Sequence, residues 1–230
     1  MISNTFNILN NYYQISLLKK LVGEVKMRST IIYFEELKEE NDLILLNLVK
    51  EKARERDIKY VVVASTRGET GVKAAEIFKD SGINIVVVTH QIGPKGPELL
   101  EANEKKIRAM DAKIVTCTHA FGGVSRSLSR VPTLTPRPEP YWPAYVPSTG
   151  DLIANVLRLF SQGMKVCFEI TLMATDAGTI PVGENIIAVA GQGRGVDTAI
   201  VIKSANSSSF FDLDVHEIIA KTINKRLPRR

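Results

Sequence analysis

Tyr60-Val-Val-Val-Ala-Ser-Thr-Arg-Gly-Glu-Thr-Gly71 is the stretch whose reading decides the fold. Its front half, taken back to Ile58, is a continuous apolar strand. At Ser65 the chemistry switches to hydroxyls, a guanidinium and two glycines. Behind it, Thr70–Asp80 reads as a helix closed by Ser81-Gly82. Strand, polar loop and helix in that order form the first part of a βαβ unit.

The same alternation continues on both sides. Thr30–Phe34 reads as a strand, and Glu40–Arg56 as a helix with Leu45, Leu48, Val49 and Ala53 at helical spacing. Asn84–Thr89 and Lys113–Thr116 are strands. Pro97–Met110 between them is a helix, with Pro97 and Glu98 in its first turn, where both are favoured. Asp151–Phe160 and Met164–Ala177 are helices separated by Gly163. Asn185–Ala190 and Thr198–Lys203 are strands joined by a glycine-rich turn, and Val215–Lys225 is a last helix. The expected fold is α/β, a three-layer sandwich around a mostly parallel sheet of five to six strands. The short final connection leaves room for the last strand to run antiparallel. Val131–Pro147 holds Pro132, Pro136, Pro138, Pro140, Pro143 and Pro147, too many missing donors for a regular element, so it is expected to be a loop or lid.

The chain has 230 residues, enough to bury a core without staples. Cys117 and Cys167 form no CxxC pair, so no disulfide framework or cysteine zinc site is indicated, and a cytoplasmic setting fits. No apolar run approaches the roughly 20 residues of a membrane helix, and the N-terminus lacks the order of a signal peptide. Residues 1–30 carry +3 and residues 221–230 carry +5, so with a net charge of +5 the body between them is mildly acidic. A broad basic face for nucleic acid is not indicated. Residues 1–28 read as an extension, with Met27 an alternative start, and 29–226 as a single domain.

In open α/β sheets, ligands sit outside the carboxyl ends of the strands. The second strand ends at Ser65-Thr66-Arg67-Gly68-Glu69-Thr70-Gly71, the third at Thr89-His90, the fourth at Thr118-His119, and the fifth at Gly191-Gln192-Gly193-Arg194-Gly195, just before Thr198. Hydroxyls, backbone N–H groups, Arg67 and a helix N-terminus suit the first of these loops to a phosphate. It is not a Walker A loop, and an N-cap turn with Thr70 as the cap is the plainer alternative. Glu69 is awkward in an anion site. It should point away or accept from ligand hydroxyls. Gly191, Gly193 and Gly195 would let a ligand approach the backbone, although a hairpin turn explains them equally well. His119 opens a segment in which Gly122 and Gly123 permit a tight turn and Arg126 and Ser127 could close on a phosphate or ring. A structural role for His119 is as good a reading, and His90 is similar. Glu169 and Asp176 are seven apart on one helix and either bind hydroxyls or a metal or cap neighbouring loops. His216 falls on the last helix, at the surface. No recognisable catalytic or metal motif occurs.

Ala64–Thr70 resembles the strand-end loop of the pyruvate kinase C-terminal domain, and Ala190–Thr198 is similar to that domain's late glycine turn. The chain is more similar still to small stand-alone pyruvate-kinase α/β-domain-like proteins, through Ala64–Gly71, Ser125-Arg126-Ser127, Lys165–Thr171, Ala174–Pro181 and Gly191–Ala199. The resemblance spans about residues 29–215. It implies an anion site at Ser65, Thr66, Arg67, Thr70, Gly193 and Arg194, flavin mononucleotide (FMN) as bound ligand, and a homo-oligomer. It offers no counterpart of the catalytic barrel, so a complete pyruvate kinase is not expected. Three functions are weighed: a binding or metabolite-sensing regulatory module that holds a flavin nucleotide or a phosphorylated metabolite such as a sugar phosphate, a flavin-dependent oxidoreductase, or a structural or assembly protein with a vestigial site.

Overall fold

The structure is a computed structural model. It describes residues 29–35, 40–124, 147–193 and 195–223. The chain divides into two units, Met1–Thr30 and Ile31–Arg230. The second contains all the elements named below.

They run in the order β1 (Ile32–Phe34), α1 (Glu40–Glu55), β2 (Tyr60–Ala64), α2 (Glu69–Phe78), β3 (Asn84–His90), α3 (Glu101–Ala109), β4 (Lys113–Cys117), α4 (Thr149–Leu157), α5 (Gln162–Asp176), β5 (Asn185–Ala190), β6 (Thr198–Lys203), a 3-10 turn (Ser207–Asp212) and β7 (Asp214–Thr222). They build one seven-stranded sheet in the order β1-β7-β6-β5-β2-β3-β4. Only β6 runs against its neighbours; the remaining pairs are parallel.

Alternation along the apolar strands sorts the core into two layers. Val61 and Val63 of β2, Ile85 and Val87 of β3, and Ile187 and Val189 of β5 pack under α1, α2 and α3, with Leu45, Val49, Ala74, Phe78 and Ile107. Val62, Val86, Val88, Ile186 and Ala188 face the other way, against Met164, Cys167, Ile170 and Ala174 of α5. The sandwich therefore has three layers, with parallel strands buried on both faces. Helix ends are set locally. In α4, Ser148 and Asp151 form a reciprocal capping box, and in α5 the Ser161 hydroxyl accepts from the Met164 N–H at 2.8 Å.

Four expectations need correction. The sheet has seven strands rather than five to six, because Val215–Thr222, expected as part of a helix running to Lys225, lies in β7; residues 224 and 225 are outside the described residues. Ile218 packs into one core layer and Ile219 and Ala220 into the other, and the segment pairs with both β1 and β6. Tertiary pairing overrides the helical reading there. His216 is exposed as expected, but on a strand. Helix α3 begins at Glu101, so Pro97 and Glu98 precede it. Finally, α4 and α5 are separated at Arg158–Ser161, and Gly163 lies inside α5.

Gly163 is where α5 meets the start of β6. A Cβ there would stand 2.2 Å from Thr198 Oγ1 and 2.8 Å from Asp197 Oδ1. Glycine to alanine inside a helix ordinarily gains about 1 kcal/mol. Here the clash should outweigh that gain, and Gly163→Ala should lose about 1–3 kcal/mol in urea unfolding. A gain in stability would show that α5 does not sit this close to β6.

Candidate functional site

The strand order reverses direction around β2: β3 and β4 follow on one side of it, and β5 lies on the other. Outside the carboxyl ends at this switch point, where open sheets bind ligands, a cleft of about 850 Å³ opens. A smaller hollow of about 390 Å³ lies at the opposite end of the strands, between the turns Phe78–Ile85 and Ala109–Ala112.

The Ser65–Gly71 loop forms one wall. The Ser65 side chain turns back and accepts from the Gly71 N–H at 3.0 Å, taking one of the donors that a helix start leaves open. The N–H groups of Glu69 and Thr70, also in that first turn, remain for water or a ligand. Thr70 is therefore not the cap; that position is held by Gly68, at φ 96°. A side chain at Gly68 would collide with Asn103 and Leu99, so this residue supports the loop from behind and does not line the cleft. The loop is tied down by Thr89, which donates to the Thr66 carbonyl at 2.8 Å, and by Asn103, which donates to the Arg67 carbonyl at 2.9 Å. Arg67 and Glu69 pair with each other at 3.3 Å, both largely exposed.

The β5 turn forms the facing wall through Gly191, Gln192, Gly193 and Gly195. It is held by Asp42, at the start of α1, whose buried carboxylate accepts from the Val196 N–H at 2.7 Å and from Lys73 at 2.8 Å. Gly195 needs φ 74° and has Asp42 Oδ1 2.4 Å from where a Cβ would stand, so only glycine fits. Thr198 lies deeper, fully buried, donating to Asp197 Oδ1 at 2.6 Å, and does not line the cleft. Burial pushes the Asp197 carboxyl up, against the lowering effect of its bonds from Thr198 and Gln192.

The floor carries the histidines. His90 and His119 lie with ring centroids 4.6 Å apart and their planes tilted by 53°. His90 Nδ1 meets Glu98 at 3.0 Å, and His119 Nδ1 meets Glu169 Oε2 at 3.0 Å. Glu169 is fully buried and also accepts from Lys165, one turn earlier on α5 and itself nearly buried. Its other oxygen, Oε1, has no partner among the described residues. Burial pushes this carboxyl up, but the His119 hydrogen bond and the Lys165 charge outweigh it and hold Glu169 below its ordinary value. Burial raises both thiols, Cys167 strongly, so neither is poised as a nucleophile.

Of the residues expected from sequence, Ser65, Thr66, Arg67, Thr70, Thr89, His90, His119, Gly191, Gly193 and Gly195 come together around this one cleft. Arg126, Ser127, Arg194 and residues 131–146 lie outside the described residues. Glu169 and Asp176 part company: Asp176 is exposed and caps the 3-10 turn through the Ser207 N–H and Asn206. Sequence reasoning missed Asp42, Lys73, Glu98, Arg158, Gln162 and Lys165 as lining residues. A signal for Lys165 existed: it and Glu169 are spaced i, i+4 among the apolar residues of α5. Among the described residues, no group of His, Cys, Asp and Glu could hold a metal ion, and no helix is long and apolar enough to cross a membrane.

Glu169→Gln would leave the Lys165 ammonium buried without its counter-charge, at a cost of about 3–5 kcal/mol near neutral pH. Because folding lowers the Glu169 pKa below 4.5, its stabilising effect is complete above that value and is lost as pH falls through the lower folded value. Unfolding of wild type and Glu169→Gln should therefore differ most above about pH 5 and converge in acid. A pH-independent difference would mean that Glu169 is protonated in the folded protein.

Among solved structures, the chain is similar to a pyruvate kinase from Cryptosporidium parvum, at 13% identity and a TM-score of 0.34, over 71% of this chain and 23% of that one. It is also similar to O-ureido-L-serine synthase, at 21% identity and a TM-score of 0.28, over 38% of this chain and 27% of that one. It thus spans about a quarter of the length of either. The family model described as "Pyruvate kinase, alpha/beta domain" matches residues 45–202, most of the folded unit, and the chain belongs to that family.

Proposed function

We propose that the cleft binds a phosphorylated small molecule, with its phosphate on the Ser65–Gly71 loop. The observation that carries this reading is the start of α2: open N–H groups beside the Ser65, Thr66 and Thr70 hydroxyls, on the wall of the cleft of about 850 Å³. Charge alone does not select an anion. The cations Arg67, Lys73, Arg158 and Lys165 stand beside the acids Asp42, Glu69, Glu98 and Glu169. The preference for phosphate therefore rests on oriented donors.

FMN is the first ligand to test. Ligand sites run from about 300 to 1,000 Å³, so a cleft of about 850 Å³ is not too small for an isoalloxazine ring. Val88, Val166, Ile170 and Met173 offer an apolar wall, and His90 and His119 add two ring faces tilted at 53° to each other. FMN would supply redox chemistry there. This chain would supply the phosphate seat and the shape around the ring.

Phosphomonoesters should raise the melting temperature of the full chain while the matching alcohols do not. Ser65→Ala should weaken the effect roughly tenfold in apparent affinity, about 1.4 kcal/mol. An absorbance spectrum of the purified protein, followed by titration with FMN and riboflavin, tests the flavin. FMN should bind and riboflavin should not. Equal binding of the two would remove the phosphate from the reading. If FMN fails while sugar phosphates stabilise, the ligand is a sugar phosphate and the loop assignment stands.

A further inference from the structure

Phosphate binding leaves one cluster without a purpose. At the end of β4, His119 lines the cleft, partly exposed, while its Nδ1 is held by a carboxylate fully removed from water. An ionised carboxylate can only accept hydrogen bonds, so Nδ1 donates. That fixes the neutral tautomer with its lone pair on Nε2. The described residues offer Nε2 no partner, which leaves it free to take a proton from a bound molecule. A carboxylate holding one imidazole nitrogen while the other faces the reactant is how a general base is oriented and its charged form stabilised. The cleft-lining Lys165 ammonium shares the same carboxylate and supplies a cation at the same wall.

We propose that His119 is a general base acting on a phosphorylated aldehyde or ketone, with Glu169 as its positioning residue and Lys165 facing the oxygen that gains charge. This rests on the phosphate seat at the Ser65–Gly71 loop. In the step, the C–H bond next to the carbonyl breaks and its proton goes to His119 Nε2. The electron pair moves into the new carbon–carbon double bond, and the carbonyl oxygen becomes an enolate oxyanion beside the Lys165 ammonium. Return of the proton to the same carbon restores the starting sugar; return to the former carbonyl carbon, with the hydroxyl proton of the first carbon passing to the enolate oxygen, gives the isomer. Either way the imidazole is restored and no oxidant or reductant is consumed. Neighbouring strands stand about 4.8 Å apart, and β3 separates β2 from β4. The backbones of the two strand ends therefore stand roughly 10 Å apart, and five- and six-carbon sugar phosphates are the first probes to bridge them.

The test uses the full chain in D2O with ribulose 5-phosphate and fructose 6-phosphate, following deuterium in the recovered sugar by mass spectrometry. Deuterium should enter next to the carbonyl of at least one sugar. His119→Asn should slow this at least 100-fold, with its melting temperature and its response to inorganic phosphate retained. Glu169→Gln, where it folds, should lower kcat and leave KM within about twofold. Nitrogen NMR of the histidine rings should find neutral His119 protonated on Nδ1. A proton on Nε2 instead, equal exchange by wild type and His119→Asn, or no deuterium with either sugar would each overturn the proposal. If inorganic phosphate still raises the melting temperature in that last case, the phosphate seat survives. If it does not, both readings fall together.

Discussion

Everything in this protein hangs on strand β2 being covered on both faces. Val61 and Val63 are sealed under the helices α1 to α3, and Val62 under α5. Burial of this kind contributes on the order of 25 cal/mol for each Å² of apolar surface withdrawn from water, and it leaves β2 no lateral surface on which to present a polar group. The same holds for β3 and β5. Chemistry can emerge only where the strands stop. In a parallel arrangement the stops of β2, β3, β4 and β5 fall at one end, which is where Ser65, His90, His119 and Gly191 gather.

The two walls of the cleft are bound into the sheet by different devices. The Ser65–Gly71 loop is held by side chains bonding its backbone, namely Ser65 itself, Thr89 and Asn103. The glycine turn is held from outside by Asp42, which joins α1, α2 and the turn through Val196 and Lys73. A buried carboxylate with two good donors is well satisfied. The close approach of Asp42 to Gly195 also explains why the turn carries a glycine at a backbone angle other residues avoid.

The layout of the site was legible in the sequence because burial and function obey opposite rules at strand ends. Four apolar runs, each stopping at hydroxyl, imidazole or glycine, locate the cleft before any coordinates do. Residues reaching it from helices were harder to find. Asp42 looks like any acid in a helix first turn, and Lys73 like any surface lysine, until tertiary packing brings them to the glycine turn. Lys165 and Glu169 carried a spacing signal, but helical periodicity states that two residues share a face without naming what that face meets. Strand β7 misled for a related reason. Over nine residues, Asp214–Thr222 fits a helical period as well as a strand period, and only the β1 and β6 edges on either side decide between them.

Folding alone does not account for the charges beneath His119. Moving a lysine and a glutamate out of water costs several kcal/mol each, and their mutual attraction offsets this only when every remaining lone pair is satisfied. Here Glu169 Oε1 has no partner among the described residues, so the offset is incomplete. Apolar residues of similar volume in α5 would pack against Ile170 and Met173 at least as stably. His119, partly exposed, could meet its hydrogen-bonding needs with water. Nor does holding a phosphate call for a buried acid, since a negative charge in the floor works against a second one nearby. What the arrangement does provide is an imidazole of fixed orientation and tautomer, with a counter-charge ready for the imidazolium that forms when a proton arrives. That benefit exists only if something in the cleft gives up a proton.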